Sequence, residues 1–365
     1  MVPDRVAVPP AVTSWGFVRA VLLAVLRFLA GALALGAAAL AILAFLGFAV
    51  PFLDLLNHLQ LFIFPAALVG VIATALLRPG RWRSFVVAFA ATGFIASSTA
   101  FVPDVVGSLT PRTLLPTDGR PVMTLMTHNI FGLNYDMKRV ARIIFEEDPD
   151  IIALQEYFPE QREELPGLLA ERYPHSAYCV GGKRANIALY SKMPFELQDS
   201  GACSEEATAE QRTSQIVAKF MQDDGTTFTV LTTHLDWPFP IARQQTQIAQ
   251  LVGEVNDIGG PLIVVGDMNS TSWSYAMRGF AAATGLARQD FNMITYPLKF
   301  TLPMFTDDPF GLFPLIPFLP LDHVFTRGGV EVHAIHLAED TNSDHLPVVV
   351  TFSIEPMTEC CARPG

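Results

Sequence analysis

The sequence predicts an α/β domain of two sheets packed face to face with helices outside, preceded by an all-α transmembrane region of three helices. Three observations carry that expectation. Residues 1–103 contain three long uncharged apolar runs, whereas from residue 122 onward short β-prone stretches mix with amphipathic helical ones. The charge divides at the same place: residues 1–103 hold six Arg, no Lys and two Asp (net +4), and residues 104–365 hold 18 basic and 33 acidic side chains (net −15). With 51% apolar and only 16% charged residues over 365 positions, and a mean hydropathy of +0.36, the chain is not intrinsically disordered. The acidic part also lacks the basic groove on which binding of a long polyanion depends.

In chain order, the apolar runs cover residues 28–50, 59–77 and 85–102, which are 23, 19 and 18 residues long. At a rise of about 1.5 Å per residue each reaches roughly the 30 Å of a bilayer core. None has the polar face that a soluble surface helix presents. Arg5, Arg19 and Arg27 precede the first run, residues 51–58 contain no Lys or Arg, and Arg78, Arg81 and Arg83 separate the second run from the third. Basic residues collect on the cytoplasmic side. The expectation is therefore an integral, multi-pass protein of the plasma or inner membrane with a cytoplasmic N-terminus and an extracytoplasmic domain. Residues 1–103 form the anchor, 104–121 read as a Pro- and Gly-bearing linker, 122–354 as the domain and 355–365 as a tail.

Inside the domain, residues 122–129, 151–155, 187–191, 214–221, 227–233, 261–265, 322–326 and 347–352 read as strands. Helices are expected at 136–147, where Met137, Val140, Ile143 and Ile144 share a face, at 160–171, and at 241–256, where Ile248, Leu251, Val252 and Val255 recur at helical spacing. Strands outnumber helices within a single unit, so two sheets must cover one another. Cys179 and Cys203 fall in the domain, and Cys360 and Cys361 in the tail, none at metal-ligand spacing. A bridge between the first two and a pair of free thiols both remain open.

The chemistry sits where the apolar strands end. Asn129 ends the first strand and Glu156 follows the second; His234 closes another; Asp267 and Asn269 follow Ile-Val-Val-Gly; Asp322 opens a strand, and Asp344 and His345 precede the last. Taken singly, each is an ordinary turn former or a hydrogen-bonded residue at a strand end. If the ends converge, four carboxylates, two amides and two imidazoles share one site, and carboxylates at that density either take up protons or capture a cation. Hard oxygen ligands without thiolate suit Mg²⁺ or Mn²⁺. A cation to neutralise phosphate, a base to activate water and neutral donors for the phosphoryl oxygens describe phosphoester hydrolysis.

The series Asn-Ile, Leu-Gln-Glu, Thr-His-Leu, Gly-Asp-Met-Asn, Leu-Asp-His-Val-Phe and Ser-Asp-His-Leu-Pro-Val, in that order over residues 122–352, resembles the endonuclease/exonuclease/phosphatase superfamily. That family includes abasic-site endonucleases, DNase I-like nucleases, inositol-phosphate phosphatases and neutral sphingomyelinases. The resemblance implies a four-layer α/β sandwich with two central, mostly antiparallel sheets. It implies metal ligation by Glu156, Asn129 and Asp344, and a base or water-positioning role for Asp267. Asn269 and His234 would contact phosphate, and His345, oriented by Asp322, would stabilise the phosphorane or transfer a proton. Asn186 departs from the family pattern, where a Gly is usual. His128 and His323 point to the opposite strand face from their motif neighbours and read as structural, and Asp236 fits either the site or a turn before Pro238.

The expected partners are a phosphoester substrate and the bilayer; no protein partner is legible. A membrane-anchored phosphodiesterase acting on lipid head groups or small phosphoesters is the leading expectation. An anchored nuclease and a catalytically silent binding module of the same fold are the alternatives. Residues 310–321, Phe-Gly-Leu-Phe-Pro-Leu-Ile-Pro-Phe-Leu-Pro-Leu, form an apolar loop beside Asp322, either folded on the core or shaped as a lip for the bilayer.

Overall fold

The computed structural model describes residues 14–182, 184–198, 203, 213–300 and 313–355. The chain divides into two compact units, Met1–Phe101 and Val102–Gly365.

The first unit is helical. Helices α1 (Ser14–Phe45), α2 (Pro51–Asp54), α3 (Gln60–Ala73) and α4 (Arg81–Leu109), joined by short 3₁₀ turns, supply three stretches long and apolar enough to cross a membrane: Trp15–Phe48, Pro51–Leu76 and Arg81–Leu109. Ala30, Ala34, Ala37, Ala38 and Ala41, spaced three or four apart on α1, are buried and let neighbouring backbones approach closely. Phe28, Leu29, Ile72 and Ile95 are exposed, as bilayer-facing side chains would be. Few polar groups are enclosed, and they bond one another: Ser97 Oγ donates to Gln60 Oε1, Gln60 Nε2 to Asn57 Oδ1 and Asn57 Nδ2 to Asp54 Oδ1. Of these, the Ser97–Gln60 bond joins two of the long helices, the kind of polar contact that would hold membrane spans together.

The third apolar run is part of a longer helix, and the segment read as a linker from residue 104 begins inside it. α4 continues through Pro103 to Leu109. A proline inside a helix forfeits its own N–H bond and crowds the preceding turn. Here Asp104, immediately after it, is buried and bonded to Ser272 and Arg288, so tertiary contacts hold the last turns in place. Residues 111–121 have no regular structure, although Arg112 is tied to Gln289 and Arg120 to Glu331.

The second unit is a four-layer sandwich. One sheet runs β13 (Val330–Leu337), β14 (Val348–Ile354), β1 (Val122–Asn129), β2 (Ile151–Gln155), β4 (Ile187–Ser191), β3 (His175–Cys179). The other runs β5 (Phe195–Gln198), β6 (Gln215–Met221), β7 (Thr227–His234), β8 (Leu262–Asp267), β12 (Asp322–Arg327), β9 (Ala287–Arg288). β10 (Lys299–Phe300) and β11 (Phe313–Pro314) form a separate small pair. Each large sheet contains one parallel pair, β1–β2 and β7–β8. Helices α5 (Met137–Glu147) and α7 (Ile241–Asp257) make the two crossovers, with α6 (Pro159–Leu169) and α8 (Tyr275–Thr284) beside them.

Three apolar clusters bind the layers. Leu125, Ile151, Leu189, Phe220, Phe228, Val265 and Phe352 fill the space between the sheets. Val140, Ile144 and Leu165 join α5 and α6 to the first sheet, and Leu251, Val255, Phe280 and Phe325 join α7 and α8 to the second. Asp136 caps α5 by accepting from Arg139 N–H, and Ser274 caps α8 by accepting from Met277 N–H.

The expected strands and helices are present with ends shifted by a few residues. Strands β3, β5, β9, β10, β11 and β13 and helix α8 are additions to that reading, and β11 falls within the stretch read as an apolar loop. In β13 a bulge between Val332 and Ala334 breaks the alternation that marks a strand, and α8 offers only Met277 and Phe280 as large buried apolar side chains. Cys179 and Cys203 are joined by a disulfide, which decides the question the sequence left open. Residues 310–312 of the apolar loop, and the tail with Cys360 and Cys361, lie outside the described residues; from 318 the loop returns by bonding Phe318 and Leu319 N–H to the Tyr296 carbonyl.

Candidate active site

Strand register assembles the site. In the second sheet His234 lies beside Asp267, and Asp267 beside Asp322, so three functional groups stand in one row across β7, β8 and β12. In the first sheet Asn129 pairs with Gln155, the residue before Glu156. Asn129 Nδ2 donates to Asp267 Oδ2 at 2.9 Å and so ties one sheet's row to the other's. Gln155 Nε2 donates to Thr127 Oγ1 and Thr232 Oγ1 below it, fixing the spacing of the two sheets.

Strand β8 needs a glycine just before its end: at Gly266 φ is +139°, and a Cβ would come within 2.0 Å of the Thr233 carbonyl oxygen. Beyond it, Asn269 takes φ +48° and donates its N–H to Asp267 Oδ1 at 2.8 Å. Phe131 and Glu156 also have positive φ (63° and 55°). Non-glycine residues held there cost free energy, and they concentrate at sites of function.

A carboxylate–imidazole pair lies at the centre. His345 Nδ1 is 2.7 Å from Asp322 Oδ2 and its Nε2 3.8 Å from Asp267 Oδ2. Burial works against a charge on His345, but Asp322 and Asp267 raise it to about 10. Asp322, despite its burial, is held below the ordinary carboxylate range by His345. Asp267 moves the other way, raised by burial and by Asp322. Burial pulls His234 down to about 4, so its 3.5 Å approach to Asp267 is a contact with a neutral ring rather than an ion pair. Asn269 Nδ2 lies 3.1 Å from His234 Nε2 and donates to the Leu235 carbonyl.

Glu156 and Asp344 face each other from separate loops. Burial, reinforced by Glu156, raises Asp344 to about 6. Its Oδ1 is buried without a partner, as are Asn269 Oδ1 and His234 Nδ1. Two crowded carboxylates and an orphaned oxygen are what a divalent cation would relieve, so Glu156 and Asp344, with the Asn129 amide oxygen, fit a hard metal ion. Asp267, Asp322 and His345 also offer ligand atoms within 4.8 Å of one another.

All eight residues singled out from the sequence come to this one edge of the sandwich. Asp236 sits at its margin, paired with Arg184 at 2.9 Å. Asn186 serves through its backbone, donating to the Cys179 carbonyl and accepting from Tyr157 N–H. His128 is buried against Thr341 and His323 against Asp290.

Sequence reasoning missed two residues here. The Tyr296 ring lies 4.7 Å from that of His345, with its hydroxyl raised to about 12 by burial and by Asp344. Arg184 is close enough for its charge to depress His234. Neither ends an apolar strand, the one signal that found the others. A cavity of about 360 Å³ adjoins Glu156, lined by Phe131, Gly132, Leu133, Tyr135, Phe158 and Glu160.

Residues 126–345 match the profile of the endonuclease/exonuclease/phosphatase family. A UPF0294 protein of Vibrio cholerae is 31% identical over 142 residues, 39% of this chain and 45% of that protein, so the match spans about half the length of the relative. A UPF0294 protein of Vibrio vulnificus is 28% identical over the same length. Among solved structures, an endonuclease/exonuclease/phosphatase from Beutenbergia cavernae aligns with 64% of this chain and 72% of its own at 21% identity and a TM-score of 0.49. The human Nocturnin catalytic domain with bound sulfate covers 68% of this chain and all of its own at 18% identity and TM-score 0.49. Sphingomyelinase C from Streptomyces griseocarneus covers 63% of this chain and 99% of its own at 19% identity and TM-score 0.44.

Proposed function

The chain belongs to the endonuclease/exonuclease/phosphatase family, and from that premise we propose that it is a membrane-anchored, divalent-metal-dependent phosphodiesterase. Its substrates are lipid head groups or small phosphoesters at the outer face of the membrane. The observation that carries the reading is the meeting of the Asp322–His345 pair with Asp267 at one edge of the sandwich, beside Glu156 and Asp344.

Each group has chemistry suited to this reaction. Asp267, raised by burial, is the base that takes a proton from the attacking water as the water oxygen bonds to phosphorus and the ester P–O bond breaks, the departing alkoxide leaving as an alcohol with a proton taken from solvent. His345, kept as an imidazolium by Asp322, faces the phosphoryl oxygens as negative charge grows on them. Asn269 presents its amide to the same oxygens or to the water, and neutral His234 adds a further contact. Mg²⁺ or Mn²⁺ held by Glu156, Asp344 and Asn129 would neutralise phosphate charge. The 360 Å³ cavity beside Glu156, with three aromatic rings in its wall, accepts the organic part of a small ester.

Two observations support an extracytoplasmic domain. The Arg distribution around the three apolar helices is the one expected if residue 102 onward lies outside, and the Cys179–Cys203 disulfide suits an oxidising compartment. The net charge of −15 over residues 104–365 disfavours long nucleic acids as substrate.

The test is the purified full chain in detergent, with Mg²⁺ or EDTA, against bis(p-nitrophenyl) phosphate, sphingomyelin vesicles and plasmid DNA. Mg²⁺-dependent turnover of a small or lipid phosphodiester, abolished in Glu156→Gln, is expected. Cleavage of plasmid alone would make the protein a nuclease, and inactivity on all three would point to a silent binding module.

A further inference from the structure

Behind the site lies a second carboxylate–imidazole pair that the proposed chemistry does not use. His323 follows Asp322 on β12, so its side chain points to the opposite face. Both ring nitrogens are engaged: Nδ1 is 2.7 Å from Asp290 Oδ2, and Nε2 is 2.8 Å from the Ser270 carbonyl oxygen. A carbonyl can only accept, so Nε2 carries a proton. Asp290 accepts the Val324 N–H at 2.9 Å and lies 3.4 Å from Arg288. Burial opposes its ionisation, yet His323 and Arg288 hold it down at about 2; Nδ1 therefore also carries a proton, and the pair is ionic.

The chain of contacts runs on in both directions. Ser270 directly follows Asn269, and its hydroxyl donates to Gln244 Oε1. The Gln244 amide in turn donates to the carbonyls of Met268 and Asp236. On the far side Arg288 bonds Asp104, which also accepts from Ser272 Oγ at 2.7 Å. Asp104 belongs to the last two turns of α4, which are part of the second unit. There Gly107 lies so close to Phe291 that a Cβ would come within 2.2 Å of its ring.

We propose that Asp104, Arg288, Asp290 and His323 are positioning residues, a largely buried ionic chain that sets the loop carrying Asn269 and thereby the rate of the chemical step. Three buried charged groups joined through the partly buried Arg288 are a poor means of gaining stability, because apolar residues of equal volume often do as well or better. What the chain does supply is direction. It ends on the backbone carbonyl next to Asn269, and it ties that carbonyl to a helix end that Phe291 and Ser272 also hold. The effect on rate rests on the phosphodiesterase reading; the effect on the loop does not.

The experiment compares the full chain with Asp104→Asn, in detergent with Mg²⁺, by amide hydrogen exchange and by kinetics on bis(p-nitrophenyl) phosphate. Exchange in residues 267–272 should accelerate about tenfold or more while the Tm stays within a few degrees. kcat should fall about 10- to 100-fold with KM unchanged, the cost of a small misplacement of reacting groups. In an Asn269→Ala background the same substitution should cost no more than about twofold, because the group it positions is gone. Unaltered exchange in 267–272, or equal losses in both backgrounds, would overturn the proposal. Should the wild type turn over neither this ester nor sphingomyelin, the phosphodiesterase reading falls and the exchange measurement still decides. If Asp104→Asn does not fold, Ser272→Ala removes one of the same bonds, and no acceleration in that variant would equally sink the idea.

Discussion

Asp322 and His323 are neighbours on one strand, and each belongs to a carboxylate–imidazole pair with a 2.7 Å contact. The pairs differ in where the second ring nitrogen points. In His345 it faces Asp267 across 3.8 Å, among orphaned atoms of Asp344, Asn269 and His234. In His323 it is bonded to the Ser270 carbonyl and so is already engaged. The chemistry of the pair is thus the same, and its role is set by what lies beyond it. An open nitrogen among unsatisfied groups can act on a substrate, whereas a saturated one can only hold backbone.

The sharpest break of that contrast would come from parallel substitutions. His345→Gln should lower kcat about 10²- to 10⁴-fold, the usual loss of an acid–base or charge-stabilising side chain, measured on bis(p-nitrophenyl) phosphate with Mg²⁺. His323→Gln should cost far less; comparable losses would erase the distinction between the pairs.

The pH profile comes next. His345 keeps its proton up to a pH of about 10, so the rate should hold to that point and fall above it. Asp322→Asn removes the neighbouring negative charge, and the fall should move to lower pH by about one unit or more. On the acid side Asp344 takes up a proton below about pH 6. Protons and divalent cations compete for the same oxygens. The Mg²⁺ concentration giving half-maximal rate should therefore rise as pH drops below 6, and a flat dependence would remove Asp344 from the ligand set.

Smaller effects test the surroundings. Cys179→Ser opens a bridge between residues 24 apart and should cost about 2–4 kcal/mol of stability by denaturant titration, with kcat unchanged because the disulfide touches neither pair. Tyr296→Phe keeps the ring against His345 and should change kcat by no more than about threefold, whereas Tyr296→Ala, which loses the ring contact worth about 0.5–1.5 kcal/mol, should cost more. Equal rates for the two variants would show that the ring does not support His345.

The residues legible in advance shared one property. Asn129, Glu156, His234, Asp267, Asn269 and Asp322 each lie at the end of a largely apolar strand that is buried along almost its whole length, because a sheet covered on both faces favours apolar residues. Asp344 and His345 were found the same way, just before β14. Arg184, Tyr296, Asp104 and Asp290 border no such strand. Asp104 was hidden further by Pro103, which reads as the end of a helix when the contacts holding the next turns are not visible.

Composition and apolar pattern by themselves determined that three helices precede a two-sheet α/β domain and that acidic, amide and imidazole groups sit at its strand ends, since both follow from local burial and period. Only the tertiary structure decided that the His234–Asp267–Asp322 row meets Asn129 across the sheets, that Cys179 finds Cys203, and which of two adjacent carboxylate–imidazole pairs stays open. Those outcomes depend on register and on groups up to 138 positions apart, and no short window of sequence encodes which of several apolar strands will lie beside which.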